Sequence, residues 1–118
     1  MRMFKKEEGF TLVELMVVVL IIGILVAIAI PVFNAASAKA RERTCQANQR
    51  TIEGAVQQYL AADPTYQLTD ITGANFLVPD YMAAAPVCPS DDAGTEYPVD
   101  TTDGSTDCPY AADPHPHY

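Results

Sequence analysis

The sequence predicts an α+β fold: one long N-terminal helix, membrane-spanning in its first half and amphipathic in its second, packed by a small, β-poor C-terminal head with a short hairpin. Three observations carry this expectation. Between 10 and 33 the only charged side chain is Glu14, and 15–30 is unbroken apolar sequence with one glycine. The stretch 34–62 is alanine-rich and free of proline, with apolar residues at helical spacing. The remainder, 63–118, is rich in Pro, Asp, Ser and Thr and poor in apolar runs.

The 118 residues leave room for one domain. Residues 1–9 are short and polar, with Arg2, Lys5 and Lys6 ahead of Glu7 and Glu8. The apolar run that follows reaches the roughly 20 residues needed to cross a bilayer core. Basic residues before it predict that Met1 faces the cytoplasm and that the chain after Pro31 lies outside. An ordinary secretory signal would be cut after the run, and Ala35-Ala36-Ser37-Ala38 can be mistaken for such a site. The run is long for a signal h-region, so a different processing pattern is expected.

Within the helix, Pro31 removes one backbone hydrogen bond and predicts a kink or a loosened turn. Beyond it, Cys45, Ile52, Val56, Tyr59 and Leu60 fall on one face suited to packing against a head. The helix is expected to stop near Ala62, because Asp63 precedes Pro64 and a residue before proline avoids the α region.

In the head, Ile71, Phe76, Leu77, Val78, Tyr81 and Met82 are the apolar residues available to cover that stripe. Short strands at 96–99 and 105–108 are expected to pair across Asp103-Gly104, with Pro98 restricting the first to an edge. Residues 111–118 read as a loose tail. Three cysteines, Cys45, Cys88 and Cys108, allow one disulfide in three pairings. A bridge between Cys88 and Cys108 is expected, since both lie in the segment where a crosslink contributes most, and it implies an oxidising compartment. Cys45 is then a buried free thiol on the helix stripe.

The formal net charge is -8, and no basic residue follows Arg50. An acidic head of this kind repels nucleic-acid phosphates and is expected to bind no nucleic acid. Asp91, Asp92, Asp100, Asp103 and Asp107 offer oxygens for calcium, but their spacing matches no EF-hand loop, and no metal or other cofactor is expected. His115 and His117 read as solvated residues of a proline-rich tail. No nucleophile motif surrounds Ser37, Ser90 or Ser105, so no enzyme activity is expected.

The stretch Lys5-Lys6-Glu7-Glu8-Gly9-Phe10-Thr11-Leu12-Val13-Glu14, followed by the apolar run and Pro31, resembles the class III signal of type IV pilins and type II secretion pseudopilins. The resemblance is strong from Lys5 to about Phe33, extends more loosely over 44–53, and fades in the head. It implies a pilin-like fold, removal of leader 1–9 by a membrane-embedded prepilin peptidase, and N-methylation of Phe10. It further implies assembly into a homo-oligomeric filament by a cytoplasmic ATPase and a platform protein. The subunit would first be a single-pass inner-membrane protein with an extracytoplasmic head, and then part of a surface filament.

Three residue types fit that chemistry. Gly9 leaves the scissile backbone accessible. Phe10 acquires a free α-amine on cleavage. Glu14, a carboxylate within a membrane helix, needs a cation in the same apolar surroundings, and that amine supplies one on its own or a neighbouring subunit, setting register. The competing reading is a first-turn glutamate stabilised by the helix dipole. Surface pilin, secretion pseudopilin and membrane-tethered binding domain are the three functions in contention, and a mere tether requires neither Gly9-Phe10 nor Glu14.

Overall fold

In a computed structural model, residues 9–110 and 114–117 are described. The leader residues Lys5, Lys6, Glu7 and Glu8 and part of the tail lie outside the described residues. Helix α1 runs from Leu12 to Ala62, 51 residues, and continues through Pro31. The missing N–H of Pro31 leaves the Ala27 carbonyl without its helical donor. The chain divides into two units, Met1–Ala36 and Ser37–Tyr118, and α1 contributes to both.

In the first unit α1 buries none of its apolar side chains; Leu15, Ile22 and Phe33 remain 62%, 54% and 71% exposed. This part of α1 is long and apolar enough to cross a membrane.

In the second unit one face of α1 is a core surface. Cys45, Gln49, Ile52, Ala55, Val56 and Tyr59 are buried along it, at the spacing that keeps side chains on one face. Ile71, Ala74, Leu77, Cys88 and Tyr97 bury against that face, with Leu60, Leu68, Tyr81, Met82 and Val99 partly buried around them. Each fully buried aliphatic side chain here contributes about 1.5–3 kcal/mol. Tyr59 closes the end of the core: it stacks on Tyr66 at 4.5 Å and meets the edges of Phe76 and Tyr81. Its hydroxyl donates to Asp70 at 3.3 Å. Just past Ala62, the Asp63 carboxylate accepts from the Thr65 N–H and hydroxyl, so the chain turns where the helix stops.

Segment 63–110 is held mainly by turns. Short 3-10 helices cover Leu68–Asp70 and Ala74–Leu77. The expected hairpin across Asp103-Gly104 is reduced to a single antiparallel bridge, Val99 with Thr106, and no strand forms among the described residues. The physical reason is that ladder groups are lost or used elsewhere. Pro98 has no N–H to donate, and the Thr106 N–H donates to Glu53 on α1 at 3.1 Å. Asp100 and Asp103 take the N–H groups of Thr102 and Ser105 into local turns. The head is therefore an irregular, turn-rich covering for α1, and its β content is one bridge.

Gly104 is where this turn meets the core. Its φ is +77°, and an added Cβ would stand 3.0 Å from Leu68 Cδ2 and 3.1 Å from Val56 Cγ1. Gly104→Ala therefore combines left-handed strain with overpacking and is expected to cost about 1–3 kcal/mol. Thermal denaturation of the detergent-solubilised chain reads this as a lowered Tm; an unchanged Tm would mean that the turn relaxes freely.

Candidate functional site

The described residues begin at Gly9 and Phe10, where the sequence leads one to expect processing. Gly9 and Phe10 are exposed and non-helical, no atom comes within 4 Å of a Cβ built on Gly9, and Phe10 is 92% exposed. The Gly9-Phe10 peptide thus lies in exposed, non-helical backbone just ahead of α1.

Glu14 sits in the first turn of α1. Its Oε2 accepts from the Thr11 N–H at 2.8 Å, and the Thr11 hydroxyl accepts from the Glu14 N–H at 3.2 Å. This reciprocal pair is a capping box, which satisfies two of the N–H groups that a helix start leaves without partners. The glutamate thus already has a local structural task in the single chain. Thr11 is a site residue that sequence reasoning missed, although the Thr-x-x-Glu spacing of Thr11 and Glu14 is its signature. Pro31 lies within the exposed apolar part of α1 and has no described polar partner.

The second notable arrangement lies in the head. Cys45 on α1, Cys88, Cys108 and His115 converge so that one donor atom from each lies within 4.8 Å of the others. All three cysteines are thiols. Cys88 Sγ stands 3.6 Å from Cys108 Sγ, and His115 Nδ1 stands 3.8 Å and 3.5 Å from the same two sulfurs. The imidazole is oriented from its far side, where Nε2 meets Ser90 Oγ at 3.3 Å, and its ring stacks near Tyr110. The Tyr97 hydroxyl, fully buried, donates to Cys45 Sγ at 3.2 Å and receives the Asn48 amide at 3.3 Å.

These surroundings tune the thiols differently. Burial pushes the Cys45 thiol up to about 12, with the Tyr97 hydroxyl working against it. Burial also acts to raise Cys108, but N–H groups of Tyr110 and His115 and the neighbouring sulfurs outweigh it and hold that thiol below its ordinary value. Burial pushes the Tyr97 phenol above its usual range, and its bond to Cys45 adds to the effect.

Sequence reasoning paired Cys88 with Cys108, left Cys45 as a buried thiol and placed His115 in solvent. The structure brings all four together, and His115 is half-buried rather than solvated. His117 instead meets Glu53 at 2.7 Å. The repeated Cys-Pro pairs, Cys88-Pro89 and Cys108-Pro109, are a weak signal of related roles, but nothing in the spacing of Cys45 or His115 announces their convergence. Among the described residues, the aspartates considered for calcium form no comparable group. Asp91 instead accepts from the N–H groups of Ala93 and Thr95 within its own loop.

Comparison with known proteins addresses the N-terminal segment. The family described as the prokaryotic N-terminal methylation motif matches residues 4–30. The type IV major pilin protein PilA of Myxococcus xanthus is 39% identical over 61 residues, 52% of this chain and 28% of that protein. The fimbrial protein EcpB of Eikenella corrodens is 58% identical over 36 residues, 30% of this chain and 23% of that protein. The type II secretion system core protein G of Vibrio cholerae is 34% identical over 70 residues, 59% of this chain and 48% of that protein. The chain thus spans between 23% and 48% of the length of these relatives. No solved structure matches it. Through the matched stretches the chain is a relative of type IV pilins and of type II secretion core protein G, and it carries the prokaryotic N-terminal methylation motif.

Proposed function

We propose that this chain is a structural subunit of a type IV pilus-like filament, cut between Gly9 and Phe10, N-methylated on Phe10 and assembled through the apolar half of α1. The observation that carries the reading is a coincidence of place. The methylation motif covers residues 4–30, and within it the exposed Gly9-Phe10 peptide directly precedes the part of α1, residues 12–33, whose apolar side chains are all exposed. Such a surface needs lipid before assembly and neighbouring helices after it.

On this reading the leader is removed by a prepilin peptidase, and a cytoplasmic ATPase with its platform protein drives extraction from the inner membrane. The extraction needs driving because lipid and the filament core are comparably apolar. The head lies outside the cytoplasm throughout. Glu14 compensates the amine that cleavage creates on Phe10 and so sets the axial register of neighbours.

A second reading has its own support. The match to the secretion core protein spans 70 residues, longer than the pilin matches of 61 and 36. On this second reading the chain is a pseudopilin in a short fibre of a secretion machine.

Electron microscopy of sheared surface material, with peptide mapping of the fibres, tests both. The expected result is abundant long fibres containing this chain, beginning at Phe10 and heavier by one methyl group. Fibre-free cells with a protein-export defect on deletion would favour the pseudopilin. A chain that keeps residues 1–9 would defeat both.

A further inference from the structure

We propose that Cys45, Cys88, Cys108 and His115 bind one zinc ion in a closed, tetrahedral Cys3His site that staples the head to α1. The argument is geometric. Around a tetrahedral zinc with Zn–S near 2.3 Å and Zn–N near 2.0–2.1 Å, sulfur pairs lie about 3.8 Å apart and sulfur–nitrogen pairs about 3.6 Å. The observed separations are 3.6 Å for Cys88–Cys108, and 3.8 Å and 3.5 Å from His115 Nδ1 to those sulfurs. A disulfide between Cys88 and Cys108 gives Cys45 and His115 no reason to converge on the same point. A metal needs all four.

The donor set also selects the ion. Three thiols and an imidazole in four-coordinate array suit zinc, whereas calcium and magnesium require oxygen ligands. The outer contacts are those a zinc site uses. Ser90 Oγ lies at 3.3 Å from His115 Nε2, where it can accept the ring proton in the tautomer that leaves Nδ1 for the metal. The Tyr97 hydroxyl donates to Cys45, spreading thiolate charge. On binding, the three thiols release their protons to solvent and the neutral imidazole releases none, so the occupied site carries a net charge of minus one.

The position explains why the head would need the ion. Segment 63–110 has two short 3-10 helices and one bridge, too little regular structure to hold a small core firmly. The four ligands come from α1, the loop at 88, the segment after the bridge and the C-terminal arm. One ion therefore closes the two long segments 45–88 and 88–108 and the short segment 108–115 at once.

The test uses the full chain, purified in detergent without chelator from zinc-supplemented cells. Elemental analysis is expected to find about one zinc per chain, and X-ray absorption to find three sulfur neighbours and one nitrogen. Cys108→Ser is expected to reduce zinc to trace, and Ser90→Ala to weaken binding about 10-fold or more. His117→Ala is expected to keep it. Should Cys108→Ser fail to fold, cobalt(II) added to the metal-stripped wild-type chain gives an independent reading through thiolate charge-transfer and tetrahedral ligand-field bands. A zinc-free wild-type chain two hydrogens lighter, mapping to a Cys88–Cys108 bridge, would overturn the proposal, as would full zinc retention in folded Cys108→Ser. Neither result bears on filament assembly, so the two proposals stand or fall separately.

Discussion

Glu14→Val is expected to abolish filaments while leaving the chain in the membrane and cleaved at Gly9. In a filament core the valine would leave the Phe10 amine uncompensated in a low-dielectric setting. Removing one partner of a buried ion pair costs about 3–5 kcal/mol, a factor of about 150 to 4,000 in the equilibrium for adding each subunit. The capping box complicates this forecast, because Glu14 also accepts the Thr11 N–H. Two further variants separate the roles. Thr11→Ala removes the cap and keeps the charge, at about 1 kcal/mol, so assembly should weaken without vanishing. Glu14→Gln keeps a residue suited to the capping box and removes the charge. If register depends on the carboxylate, Glu14→Gln fails as Glu14→Val does; wild-type fibre yield from Glu14→Gln in sheared fractions would reduce Glu14 to a helix cap.

Tyr97→Ala is expected to be the most damaging single truncation in the head. Tyr97 is 0% exposed, packs within the core that α1 buries, donates to Cys45 and accepts from Asn48. Deleting a buried aromatic ring of this kind costs about 3–5 kcal/mol, much of the total stability of a small domain. Tyr97→Phe keeps the ring and loses only the hydroxyl, for which about 1 kcal/mol is expected. Thermal unfolding of the two variants, followed by circular dichroism in detergent, should therefore show a large gap between them. Equal melting temperatures would mean that the hydroxyl's bonds, rather than the ring's packing, hold the head.

The two halves of the chain were not equally legible. Hydrophobicity and helical spacing are local properties, so the apolar run, the stripe from Cys45 to Tyr59 and the stop at Asp63-Pro64 could be read directly. Gln49 escaped, because a polar residue on a core face breaks the pattern; both its amide atoms are buried with no partner among the described residues. The head's core is assembled from residues without period, such as Ala74 and Tyr97, whose burial depends on long-range closure. The hairpin expectation failed for a related reason: Thr106 bonds to Glu53, 53 residues away, and no local pattern reveals such a competitor. Among candidate site residues, Gly9, Phe10 and Glu14 could be proposed from the sequence because they form one contiguous motif. The grouping of Cys45 and His115 with the other thiols was not, since it joins residues from distant parts of the chain.

The bare apolar length of α1 bears on what stability can mean here. A soluble domain carries its whole folding free energy within itself, and that quantity is the same at any dilution. In this protein the first unit has no interior, so the favourable term for residues 12–33 belongs to whatever surrounds them. On the proposed reading its free energy is a transfer quantity between two reservoirs, set by how many other copies are at hand and not by intramolecular contacts. On that reading, how far the driven exchange between bilayer and fibre proceeds depends on the concentration of subunits in the bilayer, which becomes a state variable of the fold.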